Sequence, residues 1–194
     1  MKSDFNGFLP FFLLLVIISM ILLFQKDIST LVIITASLMA VYFVAGTPLW
    51  HTIVAGLAQA SSALLLIRLE PYRMQRLLTF FNPESDPLGG GFQLRQSLLA
   101  IGSGGIFGKG WGLSNQKFGI LPQSMSDSVF AILGEETGII GFSILIILFL
   151  LLFWQGIKIA KNSSDMFSRT ATVGIMTWLI VQAFMNISSS LGLF

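Results

Sequence analysis

Between Ile28 and Ile67 the chain runs 40 residues without a charged side chain, counting His51 as neutral. A bilayer core is crossed by about 20 apolar residues in helical form, so this run is too long for one crossing. Gly46-Thr47-Pro48 breaks it, because Gly and Pro punctuate helices, and two spans are predicted, over 28–45 and 51–67. An earlier uncharged run covers 8–24 and ends at Gln25-Lys26-Asp27, polar enough to mark a membrane surface. Two more apolar runs follow at 129–157 and 170–194. Inside a bilayer each backbone N–H and C=O needs a partner within the protein, and a helix supplies those partners from its own segment. The sequence therefore predicts an all-α, polytopic transmembrane bundle of about five spans, with one large loop over 68–128.

Composition narrows the function. Only 10% of the 194 residues are charged, against roughly 25% in a soluble domain, and the mean hydropathy is +0.84. A net charge of +2 gives no footprint for nucleic acid. Cys is absent, which excludes disulfides and thiolate metal sites. The single histidine, His51, excludes a His cluster for zinc, and any His-dependent triad would have to use it. Its place beside Pro48 suggests interfacial packing. The N-terminal apolar run lacks the short core and small-residue cleavage site of a signal peptide, so it is expected to be retained.

The character of the chain changes at Arg68. Arg68, Glu70, Arg73 and Arg76 alternate with Leu69, Tyr72, Met74, Leu77 and Leu78, the pattern of a helix lying at a membrane surface. Asn82-Pro83-Glu84-Ser85-Asp86-Pro87 and Gly89-Gly90-Gly91 predict a loop by turn chemistry. A short amphipathic or re-entrant helix is expected over 92–101, followed by flexible backbone through the glycine-rich run 102–112. The basic 158–169 loop and Lys2 orient the bundle by the positive-inside rule. They place the N-terminus in the cytoplasm and the 68–128 loop, with Asp27, outside. The basic residues of that loop count little, since long loops translocate largely regardless of charge.

Two nucleotide motifs fail in the glycine run. Ser103 stands where a Walker A loop needs its first Gly, and Gly110 follows Lys109 where Ser or Thr belongs. The Rossmann spacing fails at Phe107. The sequence favours a flexible linker here over a backbone that approaches a ligand closely. Asp127 precedes the 129–157 span. Ser124 with Asp127 has capping-box spacing, and an acid suits a helix N-terminus; the alternative is a general base at the outer surface. Glu135 and Glu136 fall inside the span, where an acid costs about 2.5–3.5 kcal/mol on insertion scales and defaults to function. Being adjacent, they point in different directions, so one cation cannot serve both. Asp127 and Glu135 could line one outward cavity. The structural alternative for the two glutamates is an ion pair with Arg73, Arg95 or Lys109.

Taken together, the motifs resemble those of the FtsW/RodA/SpoVE family, also called SEDS proteins. The resemblance is carried by Gln25-Lys26-Asp27-Ile28-Ser29-Thr30, Arg68-Leu69-Glu70-Pro71-Tyr72-Arg73, Phe92-Gln93, Gln96-Ser97 and the run Ala100–Gly110. Gln116-Lys117, Leu121-Pro122, Asp127 and Glu135-Glu136-Thr137-Gly138 continue it in order. It implies a peptidoglycan glycosyltransferase of the bacterial cytoplasmic membrane that polymerises lipid II for cell division or cell shape, beside a single-span class B penicillin-binding transpeptidase. Asp127 matches the family's catalytic base. Candidate substrate contacts are Asp27, Arg73, Gln96, Ser97, Lys109, Gln116, Lys117, Glu135 and Glu136. No protein-held metal is implied, although Mg²⁺ or another divalent cation could neutralise the lipid diphosphate that leaves.

The chain departs from the family pattern at Gln123 and Met125, where an acid and a His are usual, and at Lys26, where Pro is usual. The resemblance covers roughly the second half of a ten-span fold, so the chain is expected to be a fragment. Two other classes stay open: a transporter of lipid-linked precursors, using Glu135 and Glu136, and a non-catalytic membrane scaffold.

Overall fold

The computed structural model describes residues 4–25, 27–48, 50–51, 53–58, 61, 90–114 and 129–191. Regular structure among these residues is entirely helical: α1 (Asp4–Phe24), α2 (Ile28–Val44), α3 (Gly90–Gly104), α4 (Val129–Asn162) and α5 (Met166–Leu191). Residues 50–51, 53–58 and 61 are also helical. α4 and α5 are long and apolar enough to cross a membrane, and only 6% of the most apolar window of each is buried. The core helix of a soluble protein would be covered instead. α1 and α2 contain shorter apolar stretches, Leu9–Phe24 and Ser29–Val44.

The chain divides into two compact units. The first takes in Met1–Leu65 and Leu152–Gln182. In it, α1 packs on α2, and Phe11 stacks on Tyr42 with ring centroids 4.2 Å apart. Two start signals are written in side chains. Asp27 caps α2, accepting from Thr30 N at 2.9 Å and from Thr30 Oγ1 at 2.6 Å. Those bonds favour the ionised form and hold the Asp27 carboxyl below its usual range, with the Thr30 hydroxyl the larger cause. Asp165 caps α5 by accepting from Ser168 N at 2.8 Å, and its pKa is lowered by the same kind of bond. His51 is buried at 3% exposure, with Nδ1 3.1 Å from Tyr42 Oη and Trp50 edge-on to its ring. That is the packing role its position suggested. α5 lies close against α2 at Gly174, where a Cβ would meet Val41 Cγ2 at 2.7 Å.

The second unit, Leu66–Leu151 with Ala183–Phe194, contains α3, the glycine-rich run after it, the first part of α4 and the end of α5. Two sequence expectations change here. α3 already begins at Gly90, inside the glycine cluster expected to turn. And α4 is broken at Gly138, whose φ of 66° and ψ of −165° are not helical.

Candidate functional site: a spliced helix break carrying Glu135 and Lys109

In an unbroken helix the amides of Ile139 and Ile140 would donate to the carbonyls of Glu135 and Glu136. The turn at Gly138 separates those groups, and the segment after α3 fills the gap. Lys109 N donates to Glu135 O and Gly110 N to Glu136 O, each at 3.0 Å. In return Ile139 N donates to Gly105 O at 3.0 Å and Ile140 N to Ile106 O at 3.3 Å. Two helical rungs are thus replaced by four bonds to a strap, residues 105–110. In a bilayer each of those groups, left unpaired, would cost several kcal/mol.

The glycines make this approach possible. Gly138 occupies a backbone region open essentially to Gly alone. At Gly108, with φ of 81°, a Cβ would run into the carbonyl of Glu136. Flexibility is therefore not what this run is for, contrary to the linker the sequence favoured. Its backbone does make a close approach, to another stretch of backbone.

The strap also brings side chains together. Glu135 is 1% exposed and is the largest fully buried side chain among the described residues. Lys109 Nζ donates to its Oε1 at 2.6 Å, and the lysine side chain stays 33% exposed. Ser114, 0% exposed, donates from Oγ to Oε2 at 2.7 Å. Ser103 Oγ lies 3.4 Å from Oε1 but has one proton, and Ala100 O at 2.8 Å is the better acceptor. Lys109, one of the three cations weighed against the acids, thus pairs with Glu135. Lys109 is bound to this residue twice, by main chain and by side chain. Glu136 is also buried, at 4% exposure, and contributes its carbonyl to the strap.

The remaining sequence candidates are distributed differently. On α3, Ser97 is buried, Gln96 half-buried and Arg95 exposed. Asp27 belongs to the first unit, where it caps α2. Asp127, Arg73, Gln116 and Lys117 lie outside the described residues; in sequence Asp127 stands two positions before α4. Among the described residues no group of three or more His, Cys, Asp or Glu side chains could hold a metal ion. Glu135 has both carboxylate oxygens engaged within the protein. The sequence reading missed Gly138 and Ser114. A glycine after Glu135-Glu136-Thr137 was a visible signal; Ser114 had none.

A protein-family model described as a cell cycle protein, FtsW/RodA/SpoVE, matches residues 1–194. The chain belongs to this family. Among its relatives is the stage V sporulation protein E of Bacillus subtilis (strain 168), 39% identical over 188 residues, 97% of this chain and 51% of the relative. A probable peptidoglycan glycosyltransferase FtsW of Coxiella burnetii (strain RSA 493 / Nine Mile phase I) is 42% identical over 194 residues, 98% and 52% of the two chains. Another protein of that name, from Escherichia coli O157:H7, is 34% identical over 195 residues, 99% and 47%. The chain spans about half the length of the curated relatives it matches.

Proposed function

We propose that the chain forms part of a peptidoglycan glycosyltransferase that polymerises lipid II at the outer face of the bacterial cytoplasmic membrane, with Asp127 as the base. The observation that carries this reading is the family match along the whole chain, joined to relatives named as probable peptidoglycan glycosyltransferases. In the reaction a sugar hydroxyl oxygen bonds to the anomeric carbon of a lipid-linked donor. The bond from that carbon to the diphosphate oxygen breaks, and its electron pair leaves with the lipid diphosphate. Asp127 takes the hydroxyl proton, a contribution worth about 10²–10⁴-fold. A partly exposed lysine such as Lys109 suits the negative charge that grows on the leaving group, and Mg²⁺ or another divalent cation is the alternative for that task.

The transporter reading needs Glu135 and Glu136 to serve a translocating species. Glu135 already has Lys109 and Ser114 on its oxygens, which favours the polymerase. A single-span class B penicillin-binding transpeptidase fits as the partner, and division or cell shape as the setting. The test is incubation of the full-length protein with labelled lipid II. Wild-type protein is expected to make glycan strands and Asp127→Asn to lose at least about 10²-fold in rate. Full-rate polymerisation by Asp127→Asn would remove the aspartate from this role. No polymer from wild-type protein, with or without the transpeptidase and divalent cations, would sink the polymerase reading.

A further inference from the structure

Glu135 is the most deeply buried ionisable group described, yet its surroundings leave it little chemistry of its own. It is 1% exposed, and its two carboxylate oxygens accept from Lys109 and Ser114. A general base needs an oxygen within reach of the proton it removes, and a substrate contact needs an exposed edge. Lys109 is the opposite case. One ammonium proton points at Glu135 Oε1, the side chain is one-third exposed, and an ammonium carries two further donors. The main chain of the same lysine is fixed to Glu135 O. A lysine side chain is ordinarily flexible, and holding it costs rotamer entropy. Replacing a buried ion pair with apolar side chains is often neutral or stabilising, so fold stability alone gives little reason for a pair here.

We propose that Glu135 is a positioning residue. It holds Lys109 at both ends within the strap, so that the ammonium is presented at one fixed point to a diphosphate-bearing lipid. The acid is the inner member of the pair and the cation the outer one, and this order is what the function requires. The proposal rests on the polymerase reading for the identity of the anion, and it changes Glu135 from a substrate contact into the support of one.

The order of the two charges gives the decisive experiment. The full-length protein carrying Lys109→Glu with Glu135→Lys keeps an ion pair but presents the acid outward. Three quantities are compared across wild type, Glu135→Gln, Lys109→Met and the two double variants: thermal stability, binding of a polyprenyl diphosphate in detergent micelles, and polymerisation of labelled lipid II. The swapped protein is expected to recover most of the stability lost by Glu135→Gln. It is also expected to bind the diphosphate at least tenfold more weakly than wild type and to polymerise no faster than Lys109→Met. Recovery of both stability and diphosphate binding would overturn the proposal and leave a purely structural ion pair.

If the swapped protein does not fold, the cycle formed by Glu135→Gln, Lys109→Met and Glu135→Gln with Lys109→Met decides. Positioning predicts that the double variant binds diphosphate no more weakly than Lys109→Met alone. Multiplying losses would overturn it. Asp127→Asn, run in parallel, keeps the two readings apart: it should slow polymerisation at least about 10²-fold and leave diphosphate binding intact. A wild-type protein that binds diphosphate without polymerising would therefore count against the polymerase and not against the positioning role.

Discussion

The two halves of α4 present opposite kinds of side chain to their surroundings. Before the break at Gly138, the helix buries Ala131, Gly134, Glu135 and Glu136. After it, Ile139, Ile144, Leu148, Leu150 and Trp154 stand exposed. In water the second half would be the misplaced one, since large exposed apolar patches are unusual on a soluble monomer. In lipid the exposed apolar face costs nothing, and the informative part is the first half, where small and charged residues are withdrawn among protein atoms. In this half of α4, burial covers two acids as well as small residues. Among the described residues of the second unit, the backbone makes close contacts at Gly104, Gly108 and Gly138.

Four substitutions would break or sharpen this contrast, and they are ranked by expected effect. Gly108→Val drives a side chain into the Glu136 carbonyl, where no flexible atom can yield. It should abolish the strap's docking, seen as loss of monodisperse folded protein in size-exclusion chromatography. Gly138→Ala should cost about 1–3 kcal/mol in backbone strain alone and more from its contact with Gly108 N and Ile106 O, read as a lowered Tm. Ser114→Ala removes a buried hydrogen bond to the Glu135 carboxylate and should cost about 1.5–3 kcal/mol, the range for a hydrogen bond to a charged group, also read from the Tm. Leu148→Ala, in the exposed half, is expected to stay within about 0.5 kcal/mol, as at an ordinary surface site. If Leu148→Ala destabilised as much as Ser114→Ala, the contrast between the two halves would be wrong.

A pH measurement addresses the other unit. Asp27 has a folded pKa below its ordinary value because it accepts from the Thr30 hydroxyl and amide. A carboxylate whose folded pKa is depressed contributes stability that is present above the unfolded pKa, and loses it as pH falls through the folded one. The cap of α2 should therefore be intact at neutral pH and weaken only below pH 3.8. Asp27→Asn, an equally good cap by preference, should remove that acid dependence while leaving the helix formed. Stability curves of the two proteins between pH 2 and pH 5 check this.

Much of the fold was legible because apolar runs without charge have few alternatives in a bilayer. The helical class follows from 28–67 alone. Helix starts were clearest where an acid caps them, although α5 begins at Met166, earlier than its apolar run, because Asp165 supplies the cap. The candidate site was legible in its members and not in its arrangement. Lys109 was one of three cations weighed against Glu135, and a separation of 26 residues in sequence favours no partner over another. The break at Gly138 had a visible signal, the glycine after Glu135-Glu136-Thr137, but that signal alone does not predict an interruption. A lone glycine in an apolar helix is tolerated at about 1 kcal/mol, and only the strap's backbone reveals that the helix is interrupted. Ser114, in Gly112-Leu113-Ser114-Asn115, has no periodicity to separate it from any loop serine.

The splice at Gly138 also bears on how the protein is made. Four backbone groups around the break need partners that α4 cannot provide. Those partners lie earlier in the chain, with Lys109 translated 26 residues ahead of Glu135. During synthesis the patch leaves the ribosome before the gap it closes. The broken helix can thus enter the lipid with its missing rungs already made, and it is the strap's own amides and carbonyls that wait for α4.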